Sequence, residues 1–219
     1  GLSLELQEIR SQVVGAQLGA EAIESSLMAG AVGLALVIIF IIAVYWLPGV
    51  VASIALFIYI ALMVIMLDSF SITLTLSGIA GIILSIGMAV DANVIIFARI
   101  REELATGKTV QSAIKQGFNK ALSAILDGNI TTLIAAAVLG CVGTGSVKGF
   151  AQTLALGIVL SMFTALVITR MIVYAFYAVG LRKESLYYRP KKERKAIDFL
   201  AHKKWIFTAS AVEIVLGFA

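Results

Sequence analysis

An aspartate interrupts an apolar run: G-M-A-V-D-A-N-V-I-I-F, residues 87–97, with Asp91 near its centre. Arg99 marks the nearest charged boundary, and eight residues at about 1.5 Å each put Asp91 about 12 Å inside it. In a hydrocarbon core about 30 Å thick that is close to the midplane. A central Asp costs on the order of 2.5–3.5 kcal/mol on insertion scales. So short a side chain cannot snorkel to water. Asp91 is therefore expected to face the bundle interior, where a carboxyl that gains and loses a proton can serve as a relay. The alternative is an acid that stays protonated and hydrogen-bonds a neighbouring helix.

Other polar residues lie within reach of that chemistry. Asn93 is two residues on, about 200° around a helix, so it faces a different neighbour. Gly78, Gly81, Ser85, Gly87 and Ala89 give the same segment small residues along much of its length, which permits close helix approach. A second polar stretch, L-D-G-N-I-T-T-L-I at 126–134, carries Asp127, Asn129, Thr131 and Thr132. Thr131 shares a face with Asp127, and Thr132 with Asn129. Asp127 is expected just inside the membrane edge, with capping or helix–helix bonding weighed against proton handling. Arg170 reads as a boundary arginine that snorkels to the surface; pairing with Asp91 is the alternative.

The elements that must hold these residues follow from composition. Of 219 residues, 60% are hydrophobic and only 14% charged, where a soluble domain carries about a quarter; the mean hydropathy is +1.02. The expected fold is an all-α polytopic transmembrane helix bundle. Five apolar segments, 27–47, 50–67, 74–97, 123–142 and 150–169, are long enough or nearly so to cross a bilayer as helices. A truncated sixth begins near Trp205. Pro48-Gly49, a polar turn at 68–73 and a glycine-rich turn at 143–149 separate the spans. Residues 99–122 read as an amphipathic connection, with Thr109 as an N-cap. Cys141, the only cysteine, reads as a small apolar residue. No metal-ligand cluster or nucleophile–base pair suggests an enzyme, and no cofactor is implied beyond protons as coupling ion.

The charges orient the spans. Fourteen of the 17 Lys and Arg lie within 99–120 and 182–204. Two spans separate these regions, so they share a side, which the positive-inside rule makes cytoplasmic. The net charge of +4 is thus a membrane signal and implies no nucleic acid. The expected organisation is a periplasmic or extracellular entry segment, 1–26, a helix bundle, 27–180, a basic cytoplasmic linker, 181–204, and a truncated helix, 205–219. The chain starts without Met and stops in an apolar run, as expected of part of a longer polypeptide.

Four stretches resemble the SecD family: G-M-A-V-D-A-N-V-I-I-F-A-R-I-R-E-E-L at 87–104, L-D-G-N-I-T-T-L-I-A-A at 126–136, G-T-G-S-V-K-G-F-A at 143–151 and V-G-A-Q-L-G at 14–19. K-A-I-D-F-L-A-H-K-K-W at 195–205 is similar to the beginning of SecF, which implies a fused SecDF chain. The resemblance implies a member of the resistance-nodulation-division superfamily in the bacterial inner membrane, a partner of the SecYEG translocon that uses proton flow to promote late stages of preprotein translocation. It implies a SecF half or subunit as partner, with YajC and YidC as further associates and the preprotein and lipid bilayer as contacts. Asp91 matches the family's proton-pathway aspartate, with Gly87, Asn93, Asp127, Asn129, Thr131 and Thr132 as supporting residues. The departures are Ala98 where the family has Glu, Gly128 where it has Ala, and Ser146 where Pro is common. The competing readings are a small-molecule or lipid exporter of the same superfamily and a scaffold that packs on the translocon without transporting.

Overall fold

The computed structural model describes residues 16–72, 74–188, 207, 208 and 210. It divides into two units, Gly1–Arg189 and Pro190–Ala219. In the second, the three described residues are helical. The linker at 189–204, most of the sixth segment and the entry residues 1–15 lie outside the described residues.

The described residues of the first unit form helices joined by short turns, with no strand among them. Its elements are α1 (Ala16–Tyr45), α2 (Leu47–Ser69), α3 (Leu76–Ala105), α4 (Val110–Val142), α5 (Ser146–Phe163), a π turn (Thr164–Ile168), α6 (Thr169–Ala178) and the short α7 (Glu184–Tyr187). The π turn joins α5 and α6 without a break, so among the described residues five helices are long and apolar enough to cross a membrane. In hydrocarbon each backbone amide must be bonded within its own segment, which is why the apolar runs are helices.

Local chemistry sets the ends. Thr75 caps α3 by accepting from Gly78 N at 3.1 Å, and Thr109 caps α4 by accepting from Ser112 N at 3.4 Å. At the α1–α2 turn Trp46 takes a positive φ of 56° and Pro48 sits in the first turn of α2, where its missing N–H costs nothing. Gly49 is required there, because a Cβ would overlap the backbone of Ile41 and Ile42. Ser77 Oγ donates to Ser146 O at 2.8 Å, joining the starts of α3 and α5.

The expected connection over 99–122 is mostly helix. α3 continues to Ala105 and α4 starts at Val110, so only a four-residue turn separates them. The basic residues therefore sit on two helix ends. That end of the bundle, shared by the α1–α2 turn, is the basic end.

α3 is the central element. Its small residues Gly78, Gly81, Ser85 and Ala89 are buried and recur every three or four positions, one helix face. They meet Gly149, Thr153 and Gly157 of α5. A Cβ at Gly157 would overlap the Ser85 side chain and lie 3.0 Å from Tyr59 Oη. The Tyr59 hydroxyl donates to Ser85 Oγ at 2.7 Å, and Ser85 Oγ donates to Ile82 O at 2.8 Å. This contact draws α2, α3 and α5 together. α1 and α4 are peripheral and expose large apolar side chains such as Leu36, Phe40, Ile134 and Val138.

Gly157→Ala is expected to lower stability by about 1–3 kcal/mol through overpacking, while Gly87→Ala, in open space, stays within about 0.5 kcal/mol. Unfolding of both variants in detergent measures the difference. Equal effects would contradict the close α3–α5 contact.

Candidate functional site

Asp91 lies near the midpoint of α3, as its spacing from Arg99 requires. Its azimuth differs from the expectation. The buried face of α3 is taken by Gly78, Gly81, Ser85 and Ala89, and Asp91 is about 200° from Ala89. Asp91 is therefore exposed on the outer face of this five-helix bundle, and does not face its interior. Ala80, Ile83, Leu84 and Gly87 are exposed with it, at the i, i+3, i+4 spacing of one stripe. Gly87, one turn from Asp91, has nothing within 4 Å of a Cβ position.

The interior position belongs to Asn93, which is 3% exposed. Its amide donates to Ala89 O at 3.2 Å, and its Oδ1 accepts from Thr169 Oγ1 at 2.8 Å. Thr169 is fully buried and is the first residue of α6, directly after the π turn. Such turns insert one residue into a helix and recur at functional sites. Nothing in the sequence singled out Thr169; its role depends on the rotation that the π turn gives α6.

Asp127 also departs from expectation. α4 runs unbroken from Val110 with Thr109 as its cap, so Asp127 lies about 26 Å along the helix from its start. It lies well inside the helix and is not a cap. The register makes this specific: a Cβ at Gly117 would lie 2.8 Å from Ile100 N, so Gly117 faces Ile100. Counting nine residues along each antiparallel helix sets position 126 opposite Asp91, which places Asp127 at nearly the same level. Gly128 is three turns beyond Gly117 and lies on the same side of α4, yet nothing lies within 4 Å of its Cβ position. The two helices touch closely at the basic end and leave room at the level of Asp91. Thr131 and Asp127 are exposed beside that room.

Asn129, Thr131 and Thr132 of α4 bond to carbonyls of their own helix. Asn129 Nδ2 donates to Ile125 O at 2.7 Å, Thr131 Oγ1 to Asp127 O at 2.9 Å and Thr132 Oγ1 to Gly128 O at 3.0 Å. They satisfy backbone carbonyls and, among the described residues, form no side-chain hydrogen bond to another helix. Neither Asp91 nor Asp127 has an ion-pair partner among the described residues. Arg170 does not reach Asp91; its guanidinium lies 5.9 Å from the Phe118 ring and 6.0 Å from the Tyr174 ring.

A second charged centre escaped the sequence reading. Glu103, 3% exposed, pairs with both Lys108 and Lys120, and Lys108 also donates to Gln116 Oε1. These contacts clamp the ends of α3 and α4. Arg101 donates to Val44 O and stacks 4.3 Å over the Tyr45 ring, tying α1 to the same end. The charges were visible in the sequence, but the burial of Glu103 is a product of the helix hairpin.

The geometry matches known proteins along most of its length. Residues 2–179 match the family model described as protein export membrane protein SecD/SecF, C-terminal. The protein translocase subunit SecD of Acidaminococcus fermentans is 48% identical over 190 residues, covering 87% of this chain and 46% of that protein. The SecD subunit of Synechocystis is 53% identical over 169 residues, covering 77% of this chain and 36% of the relative. The crystal structure of a SecDF from Thermus, described as a translocon-associated membrane protein, superposes with a TM-score of 0.80 at 36% identity, covering 93% of this chain and 28% of that one. The chain thus spans less than half the length of these relatives.

The Asn93–Thr169 bond gives a measurable coupling. A double-mutant cycle of Asn93→Ala and Thr169→Val is expected to return about 0.6 kcal/mol and at most about 1.7 kcal/mol, the range of interhelical hydrogen bonds in membranes. Strict additivity of the two unfolding free energies would mean that the bond does not hold α3 to α6.

Proposed function

The chain belongs to the SecD/SecF family of protein export membrane proteins, and from that membership we propose that it forms the membrane half of a proton-driven accessory to the Sec translocase, acting late in preprotein translocation. The observation that carries the proposal is the Asp91 carboxyl, set at mid-depth on the open face of α3 without a partner among the described residues.

The chemistry follows from its position. A protonated Asp91 is neutral and tolerates apolar surroundings. Releasing the proton creates a charge whose burial costs on the order of 2.5–3.5 kcal/mol unless a partner meets it. A proton moving through about 100 mV supplies about 2.3 kcal/mol, which offsets most of that cost. Each cycle of uptake and release therefore changes what the open face attracts. A basic group of a SecF half or subunit, seated on the stripe of Gly87 and Asp91, is the complement that this face calls for. Gly87 leaves room for close approach, and Asp127 and Thr131 border the same opening. Asn93 acts from the opposite face, fixing the rotation of α3 by its bond to Thr169. SecYEG, YajC, YidC and the preprotein are the wider set of partners, and protons the only coupling species. The basic end faces the cytoplasm by the positive-inside rule, which sets the α2–α3 and α4–α5 turns on the periplasmic or extracellular side.

In the full-length protein, Asp91→Asn is expected to abolish the gradient-dependent part of preprotein translocation while leaving membrane insertion and helix content intact. Completion of a translocating preprotein in vesicles, with and without a proton gradient, reads this directly. Full retention of the gradient effect in the variant overturns the relay and leaves a packing role.

A further inference from the structure

We infer that the gap between α4 and α6 at the basic end is a binding site for an anionic phospholipid, with the phosphate held between Arg170 and Lys115.

Arg170 is the first observation. Thr169 pairs with Asn93, so Arg170 leaves its helix near the level of Val94, about 8 Å deeper than Arg99. Its guanidinium reaches back to Phe118 and Tyr174, and Phe118 neighbours Gly117, which faces Ile100. The side chain thus snorkels from hydrocarbon depth to the boundary. Aromatic rings screen a cation but do not neutralise it. At this end Glu102 is paired with Arg99 and Glu103 with Lys108 and Lys120, while Glu184 lies exposed in α7 without an ion pair to Arg170. Among the described residues no carboxylate forms an ion pair with the exposed Arg170.

Two pockets that share Tyr174 in their walls supply the rest. One is polar, lined by Thr109, Gln111, Ser112, Lys115 and Tyr174. The other is mostly apolar, lined by Leu166, Val167, Met171, Tyr174 and Arg170 itself. Residues 166 and 167 lie deeper in the membrane than Arg170, and the polar part lies at the start of α4, where that helix leaves the basic end. The arrangement runs from polar to cationic to apolar along the membrane normal. That is the order of headgroup, phosphate and acyl chain in a lipid of the basic-side leaflet. Basic pockets between transmembrane helices on the cytoplasmic side bind such headgroups. A soluble anion would use the charges but leave the apolar groove without purpose. The inference is independent of what the protein transports.

Purified full-length protein, stripped of endogenous lipid, is titrated with phosphatidylglycerol or phosphatidylcholine and bound lipid is counted by native mass spectrometry. Phosphatidylglycerol is expected to bind preferentially. Arg170→Gln and Lys115→Gln are each expected to weaken it about fivefold, since each basic side chain near an anionic lipid surface contributes about 1 kcal/mol. Lys148→Gln, on an exposed lysine at the other end of the bundle, is expected to leave binding unchanged. Lys115→Gln carries the test alone if Arg170→Gln does not fold. Equal binding of the two lipids overturns the site. So does an equal loss in the Lys148 control, or no loss in the Arg170 and Lys115 variants. Competition by millimolar inorganic phosphate would assign the charges to a free anion, and an acidic polypeptide that excludes phosphatidylglycerol from the gap would assign them to a protein; either result overturns it.

Discussion

The close packing of α3 against α5 fixes everything else in this bundle. Gly78, Gly81 and Ser85 on one helix and Gly149, Thr153 and Gly157 on the other leave no room for larger side chains. Between helices in lipid, where apolar burial gives no net drive, such backbone approach and its van der Waals contacts are a main source of association. The approach sets not only distance but rotation. Once the small face of α3 is committed to α5, Asp91 must point the other way.

That rotation divides the polar residues into two groups with different physical situations. Asn93, Thr169, Tyr59 and Ser85 are buried and bonded to one another or to backbone, as buried polar groups must be. They hold helices in place. Asp91, Asp127 and Thr131 are exposed at mid-depth, next to the place where α3 and α4 part. In water this exposure would be unremarked; at the depth of hydrocarbon it is a standing cost that only a partner or a proton relieves. The basic end is the opposite case. Glu103 with its two lysines, and Arg101 against Val44 and Tyr45, lock α1, α3 and α4 together. One end is tied, while the middle presents an open acid.

The sequence carried the helices well, because each apolar run has one solution in a bilayer. The five spans and the Thr109 cap followed from length and local chemistry, whereas the break expected at Pro48-Gly49 falls at Trp46, with both residues inside α2. What it did not carry was rotation. Asp91 lies near the midpoint of α3 but on its outer face, not in the expected bundle interior, because the cost of a buried charge says only that it needs a partner, not which face of the helix carries it. The clue was present: the small residues at 78, 81, 85 and 89 form one face and Asp91 lies off it. Asp127 was misplaced for a different reason. Its apolar run is short, so the membrane edge was drawn close to it; the polar turns that precede it belong to the same helix. The π turn and the burial of Glu103 arise from packing and have no local signature.

The proposed relay requires a carboxyl at residue 91 that exchanges its proton within the membrane. Infrared difference spectroscopy on the full-length protein in vesicles, recorded before and after a proton gradient is imposed, reads that exchange at the bond itself. The prediction is a carboxylic acid C=O band that changes with the gradient and is missing from Asp91→Asn. A spectrum in which no band assigned to residue 91 responds to the gradient would contradict it.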